Sequence, residues 1–459
     1  MNRIESIKLR NILKSRDADE SVRFAELLDV SEFKYDKIIE TLHEIIFKNH
    51  RYDLLIRFAK NVKNANINQI QQEIMDHGDS EFIYKFALRI PDANIELLQS
   101  LILKSSYPEF IYQFAMNIHG ANMELMQNAL VNVCEELTLY NFACIVPGAD
   151  IELLQSAIIK SGSLNFIYKF ALNVNGADKE LLSSAICNSD GSHHIYLFAR
   201  NVTGVDISKL ESAIIRTNNA ENIYNFALHV YGANIELLQS AIIKSCSEQF
   251  IYKFALNIST SNKKLLGSAI CASNRAKYIY EFAHNVKGAD IEELSIAVCN
   301  TSNLNHMLNF SNIAGIDVDL FQKAICSTGS ARHILSFARE VFGADIDYLS
   351  AEIVKTCDAE HIYNFAWYIP GANIKLLGDA ILEIMDACFI YKFAYKIHGV
   401  NLSEFVDAII KTDSIEYIKK FKDDVFNFET DEKIGVIKVN PDEITSLLNE
   451  YTINNIMKS

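Results

Sequence analysis

Ile223-Tyr224-Asn225-Phe226-Ala227-Leu228-His229-Val230, then Tyr231-Gly232-Ala233-Asn234, then Ile235-Glu236-Leu237-Leu238-Gln239-Ser240-Ala241-Ile242-Ile243-Lys244, is one copy of a unit that recurs through most of the chain. Counting from Phe226 as position 0, apolar residues fall at −3, 0, +1 and +4 (Ile223, Phe226, Ala227, Val230). That spacing puts one apolar face on a short helix. Gly232 at +6 suits a left-handed residue closing that helix, and Asn234 at +8 is a short oxygen-bearing side chain that caps the next one. The run from Ile235 to Lys244 reads as a second helix.

Outward from this copy, the Phe recurs at Phe58, Phe86, Phe114, Phe142, Phe170 and Phe198, and again at Phe254, Phe282, Phe310, Phe337, Phe365 and Phe393, with a divergent copy at Phe421. Every step is 28 residues except the 27 between Phe310 and Phe337. Position +6 is Gly in ten of the thirteen copies, and +8 is Asn or Asp in all thirteen. Pro91, Pro147 and Pro370 sit one residue before the glycine position. Acids such as Glu96, Glu152 and Glu236 follow at +10, where a helix dipole favours them. Ala holds position +15 in ten copies, small enough for neighbouring helices to pack about 8–10 Å apart.

A fixed period of 20–50 residues means a stacked array rather than separate domains. The expected fold is therefore an all-α α-solenoid, a right-handed superhelix of about thirteen helix-turn-helix repeats, on the order of 100 Å long by contour. Residues 51–421 are the array. Residues 1–50 read as a helical N-terminal cap or degenerate repeat, in which Phe24-Ala25 echoes the Phe-Ala pair. Residues 422–459 read as a C-terminal capping module, with Gly435–Val439 as a short strand and Asn440-Pro441-Asp442-Glu443 as a helix start.

In kind, the unit resembles the TPR and HEAT classes of α-solenoid proteins. That resemblance implies a binding or scaffolding role and no particular partner. The period of 28 is shorter than the ~34 of TPR or the ~40–47 of HEAT, and the TPR pattern of Trp, Gly, Tyr and Pro is absent, so no named family is assigned.

Composition narrows the function further. The chain has 459 residues, 49% of them apolar, so it can bury a core, and wholesale disorder is excluded. A net charge of −15 disfavours a protein built to coat nucleic acid. No apolar run reaches the ~18 residues of a membrane span, and the charged N-terminus lacks a secretory core. Nine cysteines form no Cys-x-x-Cys pair, and Cys187, Cys271, Cys299 and Cys326 share a position with Ile159 and Ile243. They read as structural thiols of a cytoplasmic protein, and the Asn-, Ile- and Lys-rich composition fits a low-GC bacterium or a virus acting in its host cytoplasm.

Catalysis needs unlike groups converging on one spot, whereas the polar residues here recur as ladders. No nucleophile elbow, phosphate loop, dinucleotide fingerprint or zinc-protease motif is present, and no catalytic residue or cofactor is expected. His194, His306, His333 and His361 occupy position −4 in alternation with Phe82, Phe166 and Phe250. Copies in consecutive repeats lie roughly 10 Å apart, too far to share one zinc, so they read as packing residues and no metal is expected.

The candidate binding surface is a polar ridge at positions −1 and +3 of the first helix. Its 26 positions hold twelve Asn, Gln or His, seven basic residues and only two acids, a balance of +5 on a chain of −15. Asn117, Asn173, Asn201, Asn257, Asn285, Lys85, Lys169 and Lys253 are the residues expected to grip a protein or peptide. Trp367, Tyr368 and Tyr395 form a candidate aromatic anchor. Tyrosines at −2 read as inter-repeat packing whose hydroxyls find a partner, or else as a stacking ladder for bases. The alternatives to a protein-binding scaffold are thus an RNA or single-stranded DNA reader along the ridge, and an enzyme or assembly module in residues 422–459.

Overall fold

A computed structural model of the chain describes residues 3–28, 35–105, 107–133 and 136–426. Among these it holds thirty helices and no strand. The strand and helix start expected at 435–443 lie outside the described residues. Met1–Ala233 and Asn234–Ser459 form two compact units, and each is built from the same two-helix repeat.

The Phe that marks the period organises each repeat. From Phe58 to Phe226 in the first unit, and from Phe254 to Phe393 in the second, this ring is fully buried. Ile at −3 and Ala at +1 complete the apolar face, as Ile167 and Ala171 do around Phe170. Burying one such ring contributes about 1.5–3 kcal/mol, and its thirteen-fold repetition explains how helices of about ten residues hold together, being too short to persist alone. Within a unit, a first helix packs on its own second helix and on the first helices before and after it, as Pro108–Asn117 does with Met123–Val133, Ser80–Arg89 and Glu136–Ile145. Ahead of the first full repeat, helix Ala18–Glu26 buries Phe24 and Ala25 against Tyr52–Asn61 and Asp36–Lys48.

The caps at +8 form as the sequence predicts in twelve of thirteen copies. Asp178 accepts from the N–H groups of Glu180 and Leu181, both at 3.0 Å, and Asn66 accepts from Gln69 N–H at 3.1 Å. Asn401 is the exception, its amide turned to Glu404 and Ser403. The glycine at +6 is left-handed, at φ +82° for Gly176, but it does not itself cap the first helix. That helix closes one step earlier on a β-region residue, Val174, and Gly176 is the third residue of a turn shut by Ala177 N–H on Val174 O. This is a type II turn, which requires positive φ at that place and favours Pro just before it, where Pro147 stands in another copy.

A ladder that periodicity does not reveal ties the second helices together. Position +13 is Gln in six copies, and these side chains are buried among apolar neighbours. Each amide oxygen accepts the backbone N–H of the capping residue one repeat on. In the first unit Gln99 takes Asn122 N–H at 2.6 Å, Gln127 takes Asp150 at 2.7 Å and Gln155 takes Asp178 at 2.8 Å. In the second unit Gln239 takes Asn262 at 2.7 Å, and Ser350 serves Asn373 at 3.3 Å. The cap residue's side chain thus serves its own helix while its N–H is satisfied from behind, and the stacking register is specified by a polar contact inside an apolar seam.

The thiols divide by place in the repeat. Cys326 is buried and Cys187, Cys271 and Cys299 are half-buried. Burial pushes the thiols of Cys271 and Cys326 up to about 12 and that of Cys299 to about 11. Cys246 and Cys357 instead stand in the turns that follow second helices, exposed and at φ +54°. A maleimide reagent at pH 8 is therefore expected to label Cys246 and Cys357 in the folded chain and leave Cys271, Cys299 and Cys326 untouched. Peptide mapping after labelling measures this, and equal labelling of both sets would contradict the burial described.

Candidate interaction surface

With −3, 0 and +1 turned inward, the first helix turns −1, +2 and +3 outward. Asn117, Asn173, Asn201, Asn257 and Asn285 are all exposed, and Lys85, Lys169 and Lys253 are half-exposed. Each of these lysines lies over the ring at −4 of its own helix. The ammonium is 5.8 Å from the centroid of Phe82 for Lys85, 5.2 Å from Phe166 for Lys169 and 4.9 Å from Phe250 for Lys253. Such a contact contributes about 0.5–1 kcal/mol and restrains a side chain that otherwise sweeps freely. Lys85 is also paired with Glu81.

Within each unit, rings at −4 beneath a lysine also meet the −2 tyrosine of the preceding repeat. Phe166 lies 6.0 Å from Tyr140, and in the second unit Phe389 lies 6.1 Å from Tyr363 with Lys392 on it at 4.5 Å. Tyr84, Tyr140, Tyr168 and Tyr252 are half-buried and Tyr196 is buried, with the rings drawn into the seams between repeats. The Tyr196 hydroxyl accepts from Arg200 of its own helix at 2.8 Å, whereas those of Tyr84, Tyr140, Tyr168 and Tyr252 are bound from one repeat on. Asn117 Nδ2 donates to Tyr84 at 2.9 Å, Asn173 to Tyr140 at 2.8 Å, Asn201 to Tyr168 at 2.9 Å and, in the second unit, Asn285 to Tyr252 at 3.0 Å. The asparagine at +3 is thus part of the repeat-to-repeat stitching as well as of the exposed ridge. Sequence spacing alone misses this pairing, because it joins residues 33 apart whose helices meet only after stacking.

An apolar stripe runs beside the ridge at +2. Leu88, Met116, Leu172 and Leu228 are exposed in the first unit, and Leu256 and Trp367 in the second. Trp367 and Tyr368 of the candidate anchor are 46% and 59% exposed, whereas Tyr395 is half-buried and stacked on Tyr391 at 5.8 Å. The anchor therefore places two rings in solvent and one in a seam.

The first repeat shows the ridge engaged by a side chain of this chain. Arg57 at −1 makes a two-pronged pair with Glu26, at 2.8 and 2.6 Å, and Asn61 at +3 donates to the same carboxylate at 2.8 Å. The Arg57 hydrogen bond is the main influence holding the Glu26 carboxyl below its usual range. At the other end of the array Tyr391 donates to Asp424, which stands where the asparagine stands elsewhere.

The histidines at −4 pack as rings or bond locally. His306 meets Tyr280 edge-on at 6.4 Å, and His333 bonds Ser330 at 2.8 Å. Among the described residues no group of three or more His, Cys, Asp or Glu side chains is placed to hold a metal. Nor is any described helix long and apolar enough to cross a membrane.

These are the features of a two-helix unit stacked on itself. The chain is a helical-repeat protein. No protein-family model and no curated protein matches it. Among solved structures it is similar to one described as a "Circular tandem repeat protein with novel repeat topology and enhanced subunit contact surfaces", at 10% identity and a TM-score of 0.10, covering 98% of this chain and 86% of that one. The fold assignment rests on the helices and buried rings themselves.

Proposed function

We propose that this chain is a non-enzymatic scaffold that binds another protein along the ridge of its first helices, in a reducing, cytoplasmic compartment. The observation that carries the reading is the serial surface of each unit: exposed asparagines at +3, lysines restrained over rings at −1 and an exposed apolar stripe at +2, recurring on the outer side of the first helices. Extended serial surfaces of this kind suit long partners, and a half-apolar, half-polar strip has the mixed character of a protein interface. The tyrosines, drawn into seams with their hydroxyls occupied, argue against a base-stacking ladder. Trp367 and Tyr368 supply an anchor of the residue types that dominate interface energetics.

The test is affinity capture with the purified full chain, in nuclease-treated and untreated arms. A stoichiometric protein that survives nuclease is expected, with its binding weakened about tenfold or more by Lys85→Gln, Lys169→Gln and Lys253→Gln together. Capture that depends on nucleic acid and collapses steeply with salt would defeat the reading.

A further inference from the structure

Resting on that proposed function, we infer that the partner is an extended, acidic polypeptide segment rather than a helix or a nucleic acid. Three observations point to one chemistry.

The first is what the asparagines have left to offer. Asn117 Nδ2 donates both to Tyr84 and to the backbone carbonyl of Gln113 at 3.0 Å, and Asn285 Nδ2 donates both to Tyr252 and to Glu281 O at 3.0 Å. A carbonyl accepts and never donates, so the nitrogen faces inward and the amide oxygen is the outward atom. The tyrosine hydroxyl, having accepted from the amide, keeps its own proton to donate. The couples at Asn117 and Asn285 therefore each present one acceptor and one donor. A peptide group in an extended chain supplies the matching N–H and C=O, whereas a helix has already used its own.

The second is spacing. Where couples stand in consecutive repeats, as at Asn173 and Asn201, packed helices set them about 8–10 Å apart. Three residues of polyproline-II backbone advance about 9.3 Å and return to the same face. Such a segment meets successive couples, as at Asn173 and Asn201, and lays one side chain per turn on the stripe of Leu172 and its counterparts.

The third is charge. The ridge is +5 by composition on a chain of −15, and at its first repeat a carboxylate from outside the helix, that of Glu26, already lies on it, held by Arg57 and Asn61. Phosphodiesters share the negative charge but not the fit, because outward amide oxygens repel phosphate oxygens and offer them no proton.

Random peptides of about 16 residues, long enough at ~3.1 Å per residue to cross five repeats, would be displayed on phage and panned on the full chain. The enriched sequences are expected to be acidic, with an apolar residue at every third place. A synthetic copy should lose about tenfold or more in affinity when alternate backbone nitrogens are methylated, and again on the chain carrying the three Lys→Gln substitutions. The methylation arm uses the unaltered protein, so it reads the contact whatever the variants do to folding. Binders that depend on the ridge but are helical by circular dichroism, or basic, or indifferent to methylation, overturn this inference and leave the protein-binding reading standing. Enriched peptides that ignore the ridge substitutions, or ridge-dependent binding of fluorescein-labelled oligothymidylate, overturn both.

Discussion

Phe170→Ala is expected to lower the stability of the first unit by about 3–5 kcal/mol, read as a shift of the urea midpoint of the full chain by far-UV circular dichroism. Phe170 is fully buried at the centre of its repeat, with Ile167 and Ala171 buried beside it. In a stacked array the loss is shared with the repeats on either side, since each contacts mainly its neighbours. Hydrogen exchange should therefore quicken in the flanking first helices Glu136–Ile145 and Ser192–Asn201 as well as in Leu164–Asn173. Leu172→Ala, two residues away and exposed, is the control and should change stability by no more than about 0.5 kcal/mol. Comparable shifts from the two substitutions would mean that the period-marking ring is not what holds the array.

The second large effect is expected at the buried glutamine. Gln155→Met keeps the length of the side chain and its apolar surroundings but removes the oxygen that accepts Asp178 N–H at 2.8 Å. Leaving this part-buried N–H without a partner costs up to about 1–3 kcal/mol, more than the hydrogen bond itself contributes. The local signature is faster exchange of the Asp178 amide, whose carboxylate should still cap Lys179–Cys187. If Gln155→Met is neutral and the Asp178 amide stays protected, the ladder does not set the register between second helices.

Both results bear on function through the same geometry. A serial binding surface works only if successive repeats hold a constant rise and rotation. The buried Phe supplies most of the cohesion and the glutamine the register. The Asn–Tyr couples then carry that register out to the solvent face, so a contact that stitches the array also spaces the groups of the proposed binding surface.

The unit, its two helices, its caps and the buried ring were all legible in the amino-acid sequence. Their causes lie within a few residues of one another: apolar spacing at −3, 0, +1 and +4, an Asn or Asp before each second helix, and a glycine where positive φ is required. Repetition made these local signals stronger by printing them thirteen times. The outward placement of −1 and +3 followed from the same helical geometry. What the tertiary structure alone decided is who bonds to whom between repeats. Gln155 reads as a polar residue lodged in an apolar helix until its oxygen is seen on Asp178, and Asn173 reads as a free ridge amide until its nitrogen is seen on Tyr140. Those partners stand 23 and 33 residues apart, and no periodicity within one helix encodes a distance that only stacking creates.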